Sequence, residues 1–216
     1  MSDAGRVIAG TARGTRLIAP GEGTRPFGDR VKQTLFAILE PELPGARVLD
    51  LFAGSGAGGI EALSRGAAYA VFVERDAVAV RAIVDNLAKA RLVDRGRVAR
   101  ADVLEYLGDR AVSDGPFDLV IIDPPYAEPK LLEAALARLG VPGTPLLSPA
   151  AWVVAKHFWR TPPPSSVGLL ASLRTRRFGE TALTFYRREG SAPRAEEESV
   201  AAMPDRSAAE SEEAAR

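Results

Sequence analysis

The 216-residue sequence contains no cysteine and a single histidine. The first absence excludes disulfides, thiolate metal sites and cysteine nucleophiles together. One histidine without cysteines builds no zinc site, so His157 is expected to be structural and no metal is expected. No stretch reaches 18 uninterrupted apolar residues, and the opening "MSDAGRVIAG" lacks the basic-then-apolar layout of a signal peptide. The expectation is a cytoplasmic protein with no membrane segment. Net charge is absent too, since 28 Lys and Arg balance 28 Asp and Glu. The balance conceals an asymmetry: residues 189–216 carry eight acids and three arginines, a net of −5, so the preceding residues carry +5. A mildly basic body suits a polyanionic partner, although scattered arginines also serve solubility.

The tail, "SAPRAEEESVAAMPDRSAAESEEAAR", has no aromatic residue and little apolar material. It cannot bury enough surface to offset its ordering entropy, so residues 189–216 read as disordered. At the front, "RVIAG" and "TRLIAP" flank "TARG" and predict a hairpin. In "DRVKQTLFAILE" the residues Val31, Leu35, Phe36, Ile38 and Leu39 recur at helical spacing, with Asp29 placed as a cap or first-turn acid. From Arg47 onward strand-like runs alternate with helical ones. "RVLDLF", "AYAVFVE", "RVARAD", "FDLVIID" and "AWVVAKH" are separated by helices, and "LLASLRTRRF" and "ALTFYRR" close the chain without one. This is the pattern of an α/β fold with a doubly wound, mostly parallel, seven-stranded Rossmann-like sheet ending in an antiparallel hairpin. The division expected is residues 1–45 as a hairpin-and-helix extension, 46–188 as the sheet domain, and 189–216 as tail.

In such folds ligands bind at the carboxyl ends of the strands. The first strand of the domain ends in "VLDLFAGSGAGG", where Gly54, Gly56 and Gly59 satisfy G-x-G-x-x-G and Glu74 lies 20 residues beyond Gly54. Glu74 is placed to accept bonds from two ribose hydroxyls. The loop admits a nicotinamide dinucleotide or S-adenosylmethionine. Asp50, four residues before Gly54, tips the balance, because a carboxylate there repels a pyrophosphate and accepts from an ammonium group. Asp102 can accept from an adenine amino group or cap the helix "VLEYL", and the two are compatible. Phe52, Ser55, Arg75 and Val103 flank these positions and complete the candidate cofactor site.

The fourth strand ends in "IIDPPY". A carboxylate at Asp123 and a carbonyl at Pro124 can accept both N–H bonds of a planar amine and favour the pyramidal geometry of attack. Pro124 and Pro125 restrict φ and remove competing donors, and Tyr126 offers a ring for stacking. Asp123 can also take the released proton. The residues therefore predict an amino-group methyltransferase. A rigid exit turn is the bland alternative.

"DLFAGSGAGGIEALSRGA", "VFVERD", "FDLVIIDPPY" and "RFGETALTFYR", preceded by "RVIAGTARGTRL" and "TRPFGDRVKQTLFAIL", resemble the RsmD family of 16S ribosomal RNA guanine-N2 methyltransferases over residues 6–188. The resemblance implies S-adenosylmethionine held by Asp50, Gly54, Gly56, Glu74 and Asp102, and a guanine held by Asp123, Pro124, Pro125 and Tyr126. The partner implied is 16S ribosomal RNA in a small ribosomal subunit. Arg13, Arg16, Arg25 and Arg30 are the candidate RNA contacts of the extension, and the protein is expected to act as a monomer. Arg174, Arg176 and Arg177 either meet phosphates or guard an edge strand. Phe27, Gly28, Gln33, Ala37 and Lys156 depart from the family pattern, Lys156 standing where an acid is common. The alternatives are a DNA adenine-N6 or protein amide methyltransferase and a nicotinamide-dependent oxidoreductase.

Overall fold

Apolar runs buried on both faces form the centre of the protein, as their composition requires of parallel strands. A computed structural model describes residues 3–21 and 28–188, with the backbone alone at 3 and 109–110. Arg25, Pro26 and Phe27 and the acidic tail lie outside the described residues. Strands β3 (Arg47–Leu51), β4 (Tyr69–Glu74), β5 (Gly96–Arg100), β6 (Phe117–Ile122) and β7 (Leu147–Phe158) are parallel. With β8 (Ser166–Val167), β9 (Leu170–Phe178) and β10 (Thr181–Arg188) they form one sheet in the order β5-β4-β3-β6-β7-β10-β9-β8. The seven expected strands are all there; the two-residue β8 pairs with β9 and adds an eighth at the edge. The chain leaves β3 toward β4 and β5, then crosses back to β6 and β7. The order therefore reverses between β3 and β6, where a ligand crevice opens.

The connecting helices are α2 (Ala57–Ser64), α3 (Ala77–Ala90) and α6 (Pro129–Leu139). The short helix expected at "VLEYL" is longer: α4 (Val103–Glu105) runs through a π-helical segment, Tyr106–Arg110, into α5 (Ala111–Asp114). Among the described residues no helix is long and apolar enough to cross a membrane. Helix α2 lies so close to β4 that a Cβ on Gly59 would stand 2.3 Å from Phe72 Cε1. Gly59→Ala gains about 1 kcal/mol of helix propensity and loses about 1–3 kcal/mol by overpacking. A net fall in Tm of a few degrees in thermal denaturation is expected; an unchanged or raised Tm would show that the helix can shift without cost.

In the extension, β1 (Asp3–Arg6) and β2 (Arg16–Ile18) form an antiparallel pair, and α1 (Asp29–Leu39) follows. The first strand starts earlier than "RVIAG" suggested and stops at Arg6. The reason lies in α2, where the buried Glu61 carboxylate accepts from the N–H groups of Ile8 (2.8 Å) and Ala9 (3.1 Å) and from Arg65 Nε (2.8 Å). Ser64 Oγ donates to Ala9 O and accepts from Ala12 N. Asn86 of α3 accepts from Ile18 N and donates to the carbonyls of Ile18 and Ser55, tying β2 to the glycine loop. Asp29 makes no side-chain cap bond; it is a first-turn acid, 3.5 Å from Arg6 and 3.7 Å from the buried Lys32. Ala4, Val7, Ala12 and Leu17 of the extension share one apolar cluster with Ile60, Leu63 and Phe72.

Candidate active site

The carboxyl ends of β3 to β7 converge on a cavity of about 870 Å³, within the range of small-molecule sites. Its lining includes Asp50, Phe52, Gly54, Ser55, Glu74, Arg75, Asp102, Val103 and the turn Asp123–Tyr126. The extension contributes Ala4, Ala19, Pro20 and Gly21, so the hairpin walls one side. Leu131, Lys156, Phe158 and Glu180 also line it; none was singled out from the sequence as a site residue. Among the described residues six lining acids, Asp50, Glu74, Asp76, Asp102, Asp123 and Glu180, face two cations, Arg75 and Lys156. The cavity is built for a cationic ligand and against a pyrophosphate.

The glycine loop is shaped by backbone geometry. Phe52 (φ 58°), Gly54 (φ 54°) and Gly56 (φ 76°) are all left-handed. For Phe52 that conformation costs about 1 kcal/mol, which the turn's bonds must offset. Those bonds run from Ala53 N to Val73 O, from Gly56 N to Ala53 O, and from Gly54 N to Glu74 Oε2 (3.0 Å). Glu74 Oε1 accepts from Asp76 N (2.9 Å), so the acid at 20-residue spacing first locks the loop to β4 and keeps further lone pairs for a ligand. Gly56 does not line the cavity. It precedes α2 as its left-handed N-cap residue, and a Cβ there would meet Ile83 Cγ2 at 3.2 Å.

Asp50 is almost fully buried, and Oδ2 accepts from Gly59 N at 2.8 Å. Burial pushes its carboxyl up to about 8, the Gly59 bond opposes this, and the charges of Asp123 and Glu74 add to it. Asp102 Oδ1 accepts from Leu104 N (2.8 Å) and Glu105 N (3.3 Å), capping α4 while its side chain borders the cavity.

Asp123 follows β6, its N–H bonded to Leu51 O at 3.3 Å. Pairing of Ile122 with Ala155 sets Asp123 beside Lys156 of β7. The Lys156 ammonium reaches both carboxylate oxygens, at 2.7 and 2.8 Å, and stands 5.5 Å from the Tyr126 ring centroid. The Tyr126 hydroxyl shares a bond with Thr181 Oγ1 (2.7 Å), and its ring lies 6.4 Å from that of Phe158. His157 is buried, bonded to Phe158 O and Thr184 Oγ1 at 2.9 Å each, and burial lowers its imidazole pKa.

Arg13, Arg16 and Arg30 are exposed on the extension and do not line the cavity. At the opposite edge Arg177 stacks on Trp159 with 3.6 Å from guanidinium to ring centroid, Arg160 lies 5.0 Å from the same ring, and Arg174 lies 5.1 Å from Phe185.

Residues 5–187 match the family described as conserved hypothetical protein 95. YlbH of Bacillus subtilis is 38% identical over 186 residues, 86% of this chain and all of that protein. The ribosomal RNA small subunit methyltransferase D of Escherichia coli is 40% identical over 122 residues, 56% of this chain and 60% of that one. Among solved structures, yhhF of Escherichia coli superposes with a TM-score of 0.76 at 32% identity, covering 87% of this chain and 99% of the other.

Proposed function

Since the chain belongs to the RsmD family, we propose that it transfers a methyl group from S-adenosylmethionine to the exocyclic N2 amino group of a guanine in 16S ribosomal RNA. The observation that carries this reading is the convergence of Asp50, Glu74 and Asp123 on one acidic cavity beside the Pro124–Pro125–Tyr126 turn.

When bound, S-adenosylmethionine supplies a methyl carbon whose bond to sulfur breaks, the pair going to sulfur, as a bond to nitrogen forms. Asp50 receives the ammonium of the amino-acid end, Glu74 the ribose hydroxyls and Asp102 the adenine amino group. Asp123 and the Pro124 carbonyl accept the two N–H bonds of the guanine amino group, and Tyr126 stacks on the ring. Asp123 then takes the proton released by nitrogen and passes it to solvent. The rate comes chiefly from holding nitrogen and methyl in line. Arg13, Arg16, Arg25 and Arg30 contact phosphates, which position the RNA without specifying sequence. We place the protein in the cytoplasm as a monomer acting on small subunits, where the target guanine must be unpaired or flipped out for its amino group to be reached.

The elevated carboxyl of Asp50 has a measurable consequence. Its folded pKa lies above the ordinary aspartate value of 3.8, so its contribution to stability is present below about pH 4 and is lost as pH rises through about 8. An ammonium ligand needs the ionised form. Cofactor binding near pH 7 should therefore release close to one proton and tighten as pH rises toward 8. Titration calorimetry in two buffers of different ionisation enthalpy reads this directly; equal heats in both would contradict it.

The functional assignment is tested with labelled S-adenosylmethionine and three acceptors: unmodified small subunits, naked ribosomal RNA and duplex DNA. Label recovered as N2-methylguanine from the subunit is expected. Label on DNA adenine or on protein would move the substrate and keep the chemistry. Binding of a nicotinamide dinucleotide with no transfer would overturn the reading.

A further inference from the structure

Lys156 is absent from the roles described so far, yet it touches both parts of the base-holding turn. We propose that Lys156 is a positioning residue for methyl transfer, fixing the Asp123 carboxylate in one orientation and backing the ring of Tyr126. The inference rests on the function proposed above.

The first support is strand register. In a parallel pair, side chains just beyond matched positions stand side by side, and Ile122 is matched with Ala155. Lys156 is therefore delivered to Asp123 by the sheet, the most rigid part of the fold. The second is the fork. Contacts at 2.7 and 2.8 Å to the two oxygens hold both and resist rotation of the carboxylate, where a single contact would allow a swing. Among the described residues Lys156 is the only side chain hydrogen-bonded to that carboxylate. A carboxylate has about four lone-pair sites, so the fork leaves acceptor capacity for an amino group.

The third support is position. The Lys156 side chain is 8% exposed against 23% for Asp123, so the ammonium approaches from the protein side and leaves the carboxylate on the cavity side. It also stands between the main cavity and a second one of about 170 Å³ bounded by Pro124, Pro125, Tyr126 and Phe158, with Lys156 lining both. Removing the charged head loosens the acceptor, the stacking surface and this wall together. An ornamental surface ion pair would do none of these things.

The test compares wild type with Lys156→Met, which keeps the stem and volume, and Lys156→Arg, which keeps the charge. Lys156→Met is expected to lower kcat about 10- to 100-fold, the cost of a small misplacement of reacting groups, while KM for S-adenosylmethionine and the Tm stay near wild type. Lys156→Arg should recover most of the loss. Independent of activity, a slowly exchanging 15N–1H signal from the Lys156 ammonium is expected in wild type and should vanish in Asp123→Asn. An undiminished kcat in Lys156→Met, or equal losses in kcat and Tm with no rescue by arginine, would overturn the role. Wild type that transfers methyl to no acceptor would instead overturn the functional reading, and the role with it.

Discussion

Asp123→Ala should lower kcat for methyl transfer by about 10³-fold while leaving the affinity for S-adenosylmethionine nearly intact. The carboxylate lies at the strand end, on the wall of the cavity, with Pro124 next to it. It is assigned to an N–H bond of the substrate whose geometry changes as nitrogen pyramidalises, so its contribution is made in the transition state and appears in kcat. The residues proposed to hold the cofactor, Asp50, Glu74 and Asp102, lie on or just after other strands and are untouched. The alanine variant also strips Lys156 of its carboxylate, and loss of that charge from beside a largely buried ammonium destabilises the fold. Asp123→Asn also loses the ion pair but leaves no void, so its Tm reports the pairing effect alone. It keeps the shape and one acceptor oxygen, so a large fall in its kcat without a matching fall in Tm assigns the loss to chemistry. Steady-state kinetics and thermal denaturation on the same preparations check this.

Glu61→Ala should give the largest loss of stability. This side chain is fully buried in α2 and accepts from two extension N–H groups and from Arg65. Removing it leaves a nearly buried guanidinium and two backbone donors without their acceptor, a change worth about 3–5 kcal/mol. For a domain of this size that corresponds to about 10 °C in Tm. Because the extension supplies Ala4, Ala19, Pro20 and Gly21 to the cavity wall, its release should also weaken cofactor binding. Amide exchange at Ile8 and Ala9 is the sharpest probe, since those protons lose their acceptor first. Protection retained at both positions would show that the hairpin is held by its apolar contacts with α2 and the sheet.

These two sites differ in how far the sequence discloses them. "FDLVIIDPPY" declares its strand through an apolar run and its site through an abrupt change of residue type. Glu74 is legible because a fixed spacing links the glycine loop to the next strand end. Glu61 is not legible. Its partners Ile8 and Ala9 are more than 50 residues away, and a glutamate within "AGGIEALSR" reads locally as an ordinary solvent-facing acid. The same contact explains why "RVIAG" pairs no further than Val7: the Ile8 and Ala9 donors are taken by a helix, and alternation of apolar residues carries no trace of that. Lys156 is intermediate. The sequence shows a lysine at the end of a buried strand, but only the register between β6 and β7 reveals that it meets Asp123. Phe158, Glu180 and the turn after β2 reach the cavity through tertiary packing, so spacing alone could not place them. Gly56 illustrates the converse: the motif marks it plainly, yet it is not among the residues that line the cavity.

The turn after β6 is the place proposed for the methyl acceptor. Single-turnover transfer to unmodified small subunits, with S-adenosylmethionine saturating wild type and Asp123→Asn alike, isolates that step from binding and product release. Rapid transfer by wild type is expected, with a rate reduced by about 10²-fold or more in the variant, at equal cofactor occupancy. Equal rates in the two proteins would contradict it, and would place the acceptor elsewhere in the cavity.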